Sequence, residues 1–266
     1  MDIQPLSSPQ MNMHGKITSP LPETALQPIV CTESVPTSPL RDESSVDTNR
    51  IYLHVQQRQV HEKQSIFPIL ATLLQILKAK DVQLYRHSRK VHYLANWLSR
   101  DLRLSQPEVT AIGLGALLHD IGKIGIEDGL LQKAGLLTIE EFEIIKKHPA
   151  YGVSILSRYS ELNQVIPVVY SHHERWDGQG YPRGLQGETI PLGARIVAIT
   201  DAFEVMTSSR VYQPIRTRAE ALEELCVCAG TQFDPFLVER FCNSPQLNLF
   251  TQIDWKEVER GYLRDQ

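Results

Sequence analysis

Residues 105–120 read Ser-Gln-Pro-Glu-Val-Thr-Ala-Ile-Gly-Leu-Gly-Ala-Leu-Leu-His-Asp, and this stretch decides the fold class. Ser105 and Glu108 stand at the spacing of a capping box, in which hydroxyl and carboxylate satisfy the unpaired amides of a first helical turn. Val109, Ile112 and Ala116 then recur at helical spacing, and their stripe ends on His119. The helix therefore turns an imidazole toward its own core, with a carboxylate, Asp120, directly after it.

The same pattern extends in both directions. Upstream, Leu84, Val91, Leu94, Ala95 and Leu98 define a buried stripe that also carries His87. Downstream, Thr138 and Glu141 form another capping box ahead of Ile144 and Ile145, with His148 just beyond them. A fourth stripe runs through Ala194, Val197, Ala198 and Val205, with Asp201 in its middle. No internal repeat is evident and strand-like alternation is scarce, so the expected fold class is all-α, a helical bundle.

The chain has 266 residues, 42% hydrophobic and 22% charged, enough for one well-buried domain. Seven of the 16 prolines precede residue 40, among Ser, Thr and Gln and without apolar periodicity. Such a stretch cannot bury enough surface to offset its ordering entropy. The expected organisation is a disordered tail or linker over 1–48, a helical segment over 49–80 that could dimerise, a catalytic domain over 81–250 and a helical tail over 251–266.

A net charge of −4 without a long basic block argues against general affinity for DNA or an anionic membrane. No run approaches the ~20 apolar residues that span a bilayer, and no signal sequence is evident. The expected location is the cytoplasm, with Cys31, Cys226, Cys228 and Cys242 as reduced thiols. Cys226 and Cys228, two apart on a helix, point away from each other and read as core packing rather than chelation.

A single His on an apolar stripe is usually a hydrogen-bonded core residue. An ionised Asp among Ala and Val, however, needs a partner, because burying it unpaired costs several kcal/mol. His87, His119, Asp120, His148 and Asp201 lie on four helical segments whose apolar faces converge, and His172 with His173 adds two imidazoles before a glycine-rich loop. Mixed imidazole and carboxylate donors suit first-row divalent ions. Seven candidate ligands exceed one tetrahedral ion, so two ions bridged by Asp120 are expected. Such a pair lowers the pKa of a bridging water from 15.7 toward ~7, giving hydroxide for in-line attack on a phosphodiester.

Leu118-His119-Asp120-Ile121-Gly122-Lys123 resembles the signature of the HD superfamily of metal-dependent phosphohydrolases. His172-His173-Glu174-Arg175-Trp176-Asp177-Gly178-Gln179-Gly180-Tyr181-Pro182 closely resembles the defining motif of its HD-GYP subfamily, and the resemblance runs from about Asp81 through Gly230-Thr231-Gln232-Phe233-Asp234-Pro235. It implies an HD-type helical bundle with a metal centre in its core, hydrolysing cyclic di-GMP to pGpG or GMP with two or three metals, often iron or manganese. His87, His119, Asp120, His148, His172, His173 and Asp201 fall on the family's ligand positions. Lys123 resembles a lysine that contacts substrate phosphate, and Arg210 an arginine on the substrate side. Arg183 and Tyr181, in the glycine-rich loop, are further expected substrate contacts, with Trp176 and Tyr181 as packing residues or a guanine-stacking surface. In the family this loop is associated with docking of GGDEF-type cyclases, which makes such a cyclase a candidate partner.

Three features depart from the family pattern. Gln83 holds the position of a Glu that three-metal members resemble one another in having, which favours two ions here. Glu204 stands where an Asp is usual, and Gln213 replaces a basic residue. Two alternatives to a cyclic di-GMP phosphodiesterase stay open: an HD hydrolase of another nucleotide, a mixed cyclic dinucleotide included, and a cyclic di-GMP receptor or adaptor without turnover.

Overall fold

The structure is a computed structural model that describes residues 66–133, 135–208, 216–244, 246–247 and 255. The tail over 1–48, the first part of the 49–80 segment, Arg210 and Gln213, and most of 251–266 lie outside the described residues.

The described residues are mostly helical, and their only strand-like pairings are two isolated bridges, Asp177 with Gln186 and Ala229 with Phe233. The expected all-α class is borne out. A helix over 66–80 (α1) leads into α2 (Val82–Asp101), α3 (Gln106–Leu118) and a short 3₁₀ turn (Ile121–Gly125). The short α4 (Asp128–Leu131) and α5 (Ile139–Ile145) follow, then α6 (His148–Leu156) and α7 (Ile166–Ser171). After the glycine-rich loop come α8 (Leu192–Thr207), α9 (Arg218–Val227) and α10 (Pro235–Cys242). No described helix is long and apolar enough to cross a membrane.

α3 is the central element. Its capping box forms as the sequence predicts: the backbone amide of Ser105 donates to Glu108 at 2.9 Å. Beyond Val109, Ile112 and Ala116 it also buries Gly113, Gly115, Leu117 and Leu118, so its second half is enclosed on all sides. Two apolar clusters meet on it. One joins α2, α3, α8, α9 and α10 through Leu94, Ile112, Ile196, Phe203, Leu225 and Phe241. The other joins α1, the 3₁₀ turn, α6 and α7 through Leu73, Leu77, Leu118, Ile121, Leu156 and Val169. His119 and Asp120 follow Leu118 at this junction.

Three expectations about packing are corrected. Ala198 and Val205 are only half buried, because the α8 face they share with Asp201 lines a cavity. The core face of α8 is instead Ala194, Ile196, Val197, Ile199 and Phe203. Ile144 is exposed and Ile145 half-buried, because α5 packs no residue into the core. Cys226 is exposed, with its Sγ 3.7 Å from that of Cys242, whereas Cys228 is half-buried against the main apolar cluster as expected and also reaches the cavity wall. A cysteine at the end of a short surface helix has little apolar volume around it to fill.

Candidate metal centre

Local backbone geometry delivers each imidazole. His119 closes α3, and its Nδ1 faces the Ala116 carbonyl at 2.7 Å. His148 opens α6 with Nδ1 on the Ile145 carbonyl at 2.8 Å, and His172 ends α7 with Nδ1 on the Val169 carbonyl at 2.8 Å. A carbonyl only accepts, so each Nδ1 carries the proton and each Nε2 presents a lone pair.

Gly122 permits the close approach between the 3₁₀ turn and α6. A Cβ there would collide with the backbone carbonyl oxygen of His148 and sit 2.5 Å from the Gly152 nitrogen. Gly180 serves the loop in the same way, since its Cβ would strike the backbone of Arg175 and Glu174. The loop is tied further by Glu174, which is buried and accepts from the Arg183 amide at 2.7 Å and the Leu185 amide at 2.9 Å.

The donor atoms gather in two groups, one of Asp120, His148, His172 and His173, the other of His87, His119 and Asp201. Within each group they lie within 4.8 Å of one another. In the first, the Nε2 atoms of His148 and His172 are 3.2 Å apart, and Asp120 Oδ1 lies 3.4 Å from His148 Nε2. In the second, His87 Nε2 is 3.3 Å from His119 Nε2 and 3.0 Å from Asp201 Oδ1. Asp120 faces both groups, because its Oδ2 lies 3.2 Å from His119 Nε2.

Lone pairs at these distances repel unless a cation stands among them. Among the described residues Asp120 Oδ1 is buried without a hydrogen-bond partner, an arrangement that costs roughly 1–3 kcal/mol or more for a charged acceptor. Burial opposes the charge on Asp120, yet Lys123, His119 and His148 hold its carboxyl well below the usual range. Burial pushes His148 down to about 4 and His173 to about 3, and drives His172 well below the ordinary imidazole value. These three are therefore neutral bases with open nitrogens. His87 is the exception. Burial lowers it, but hydrogen bonds to Asp201 and Glu204 outweigh burial and raise it to about 9, so in the metal-free protein a proton supplies positive charge there. The donor set fits a divalent metal.

Glu204 orients His87. Its Oε2 lies 2.6 Å from His87 Nδ1, and its Oε1 accepts from Lys90 at 3.1 Å and from Ser208 at 2.5 Å. Burial opposes its charge, but the bond to His87 brings its pKa down to about 2. The longer arm of Glu at this position thus reaches the imidazole directly.

A cavity of about 690 Å³ opens beside His172, His173 and Asp201. Tyr181 lines it, with its ring stacked on His173 at 4.7 Å. Phe142 meets Tyr181 edge-on at 6.4 Å, and Lys146 lies over Phe142 at 5.1 Å. Lys123 donates to Asp120 Oδ2 at 2.7 Å. Arg183, an expected substrate contact, points elsewhere: its guanidinium donates to Ser171 at 2.8 Å and covers the Tyr170 ring, away from the cavity wall. Trp176 is likewise off the cavity, beneath the Arg195 guanidinium at 5.8 Å. Arg175 and Gln232, which lie within the motif segments, also line the cavity, whereas the sequence offered no local cue for Phe142, Lys146, Arg216 and Glu224.

Residues 71–237 match the HD domain family. The chain belongs to the HD domain family and, with its His119-Asp120 pair and Gly180-Tyr181-Pro182 loop, to the HD-GYP branch of it. It is 41% identical over 178 residues to a cyclic di-GMP phosphodiesterase of Thermotoga maritima, covering 66% of this chain and 48% of that protein. It is 39% identical over 174 residues to the cyclic di-GMP phosphodiesterase response regulator RpfG of Xanthomonas campestris pv. campestris, covering 64% and 46%. The 3'3'-cGAMP-specific phosphodiesterase 2 of Vibrio cholerae is 37% identical over 173 residues, covering 64% and 33%. The chain thus spans less than half the length of these relatives. Among solved structures, the HD domain of the L. monocytogenes phosphodiesterase PgpH, in complex with cyclic-di-AMP, aligns with a TM-score of 0.52 at 19% identity, covering 69% of this chain and 97% of that one. That similarity concerns the fold.

Proposed function

We propose that this chain is a metal-dependent phosphodiesterase that hydrolyses cyclic di-GMP to pGpG or GMP at a centre of two divalent ions, iron or manganese. The observation that carries this reading is Asp120, whose Oδ1 faces one group of imidazoles and whose Oδ2 faces the other, with Oδ1 buried and unpartnered. His87, His119 and Asp201 would hold one ion, and His148, His172 and His173 the other, with Asp120 shared. When bound, such ions supply Lewis acidity at a phosphoryl oxygen and water of lowered pKa.

The chain's own residues prepare the rest. The carbonyls of Ala116, Ile145 and Val169 and the carboxylate of Glu204 fix the imidazole rings before anything binds, so little reorganisation accompanies ligation. Lys123, at the rim of Asp120, places a cation where a transferring phosphoryl group gathers charge. Burial first, then the charges of Asp120 and Asp201, raise Tyr181 above its usual value, so its hydroxyl stays protonated and can donate to substrate. Gln83 is exposed at the start of α2, and a neutral amide there supports two ions over three. Arg210 is a further proposed substrate contact outside the described residues.

The cyclic di-GMP and 3'3'-cGAMP phosphodiesterases among the relatives support a cyclic dinucleotide substrate. Metal analysis of anaerobically purified protein, with product identification from cyclic di-GMP, tests the proposal. About two ions per chain with pGpG or GMP released is the expected result. Tight binding of the dinucleotide at full metal occupancy without product would indicate a receptor instead.

A further inference from the structure

The cavity does not end at the metal centre. Its lining also includes Arg216 and Glu224, the latter on α9, which stand together. Arg216 Nη1 donates to Glu224 Oε2 at 2.8 Å, and the two side chains are 46% and 45% exposed, so both keep hydrogen-bonding edges open to a ligand. The pair is positioned from the metal side, because the Arg216 amide donates to the Met206 carbonyl on α8, the helix that carries Asp201. Among the described residues Glu224 Oε1 meets only the weakly donating Cys228 thiol at 3.8 Å, which leaves acceptor capacity for a ligand.

A guanidinium donor beside a carboxylate with a free oxygen has a definite chemical complement. Guanine presents an acceptor, O6, next to the donors N1–H and N2–H₂, whereas adenine presents a donor, N6–H₂, next to the acceptor N1. Guanine can take a hydrogen bond from Arg216 and give two to Glu224. Adenine would set its N1 lone pair against the carboxylate and its N6–H₂ against the guanidinium. We infer that Arg216 and Glu224 form a base-reading subsite that selects guanine over adenine in a cyclic dinucleotide whose phosphate lies at the metal centre. The inference rests on the function proposed above and goes further by naming the residues that set the base.

The test is kcat/KM of the full-length, metal-loaded protein for cyclic di-GMP, 3'3'-cGAMP and cyclic di-AMP, in wild type, Glu224→Gln and Glu224→Ala. A carboxamide offers one acceptor and one donor, the complement of adenine. Glu224→Gln should therefore lower the guanine-to-adenine ratio at least tenfold and raise the absolute rate on cyclic di-AMP, while Glu224→Ala lowers the ratio without that gain. Loss of a merely structural ion pair would reduce all three substrates equally, and an unchanged ratio in both variants overturns the subsite. Wild type that cleaves bis(p-nitrophenyl) phosphate but no cyclic dinucleotide refutes the proposed function and the subsite together. Wild type that prefers cyclic di-GMP, with variants that keep that preference, refutes the subsite alone.

Discussion

Glu204 Oε2 lies 2.6 Å from His87 Nδ1, across 117 positions of sequence. The bond fixes the proton on Nδ1 and leaves Nε2 for a metal, while Lys90 and Ser208 hold the other carboxylate oxygen. Glu204→Ala should therefore weaken metal retention by roughly 10- to 100-fold, the usual effect of losing a group that orients a ligand. Chelator competition on the folded variant measures this, and retention equal to wild type would deny Glu204 its orienting role.

Asp120 spans both donor groups. Asp120→Ala should abolish loading of both ions along with hydrolysis, whereas a non-bridging ligand would cost only one. Two tightly bound metals in that variant would refute the bridge.

Lys123 touches Asp120 Oδ2 but belongs to neither donor group. Lys123→Ala should leave metal content intact and lower kcat by about 10²-fold, the scale seen when one donor to developing charge is removed. An unchanged rate would leave Lys123 as a structural partner of Asp120 alone.

Gly122→Ala would place a methyl group against the His148 carbonyl and push α6 away from the 3₁₀ turn. Overpacking of this kind costs about 1–3 kcal/mol. A fall in Tm of several degrees together with weaker metal binding is expected, and a Tm within one degree of wild type would show that α6 yields freely.

The metal-free protein should be most stable near pH 6.5. His148 and His173, with pKa values near 4 and 3 in the folded state against 6.5 unfolded, bind fewer protons folded than unfolded below pH 6.5, so stability falls as pH drops through that range. His87 has the opposite sign: raised to about 9, its contribution is full below pH 6.5 and is lost as pH climbs through 9. Metal replaces the His87 proton, so loading should flatten the alkaline side of a Tm-versus-pH curve. An alkaline limb unaffected by metal would contradict the assignment.

Much of this was legible in the sequence because it is local. The capping boxes at Ser105 and Thr138 and the stripes through Val91 and Ile112 depend on neighbours three or four residues away, and both boxes form. The convergence of His87, His119 and Asp201 followed from the assumption that apolar faces share one core. What failed was long-range or depended on which side of a stripe meets solvent. Val205 repeats with Asp201 at helical spacing, yet that face fronts a cavity rather than the core. Arg183 sits beside Tyr181 in the chain, but the loop turns it toward Ser171. The pairing of Arg216 with Glu224, eight positions apart, has no periodic signal, since Arg216 precedes α9 and is placed by the bond of its amide to the Met206 carbonyl on α8.

α5 buries none of its residues and leaves Ile139 79% and Phe142 46% exposed, although Phe142 forms part of the cavity wall. One carboxylate fastens it: Glu141 accepts from the Thr138 amide at 2.7 Å and from Lys133 at 2.6 Å. Its amide protons should thus exchange through local opening rather than global unfolding. The cavity mouth should therefore be graded in stiffness, firm along the well-packed α8 where Asp201 stands and yielding at Phe142, so the proposed dinucleotide would pass without disturbing the helices that carry the donor groups.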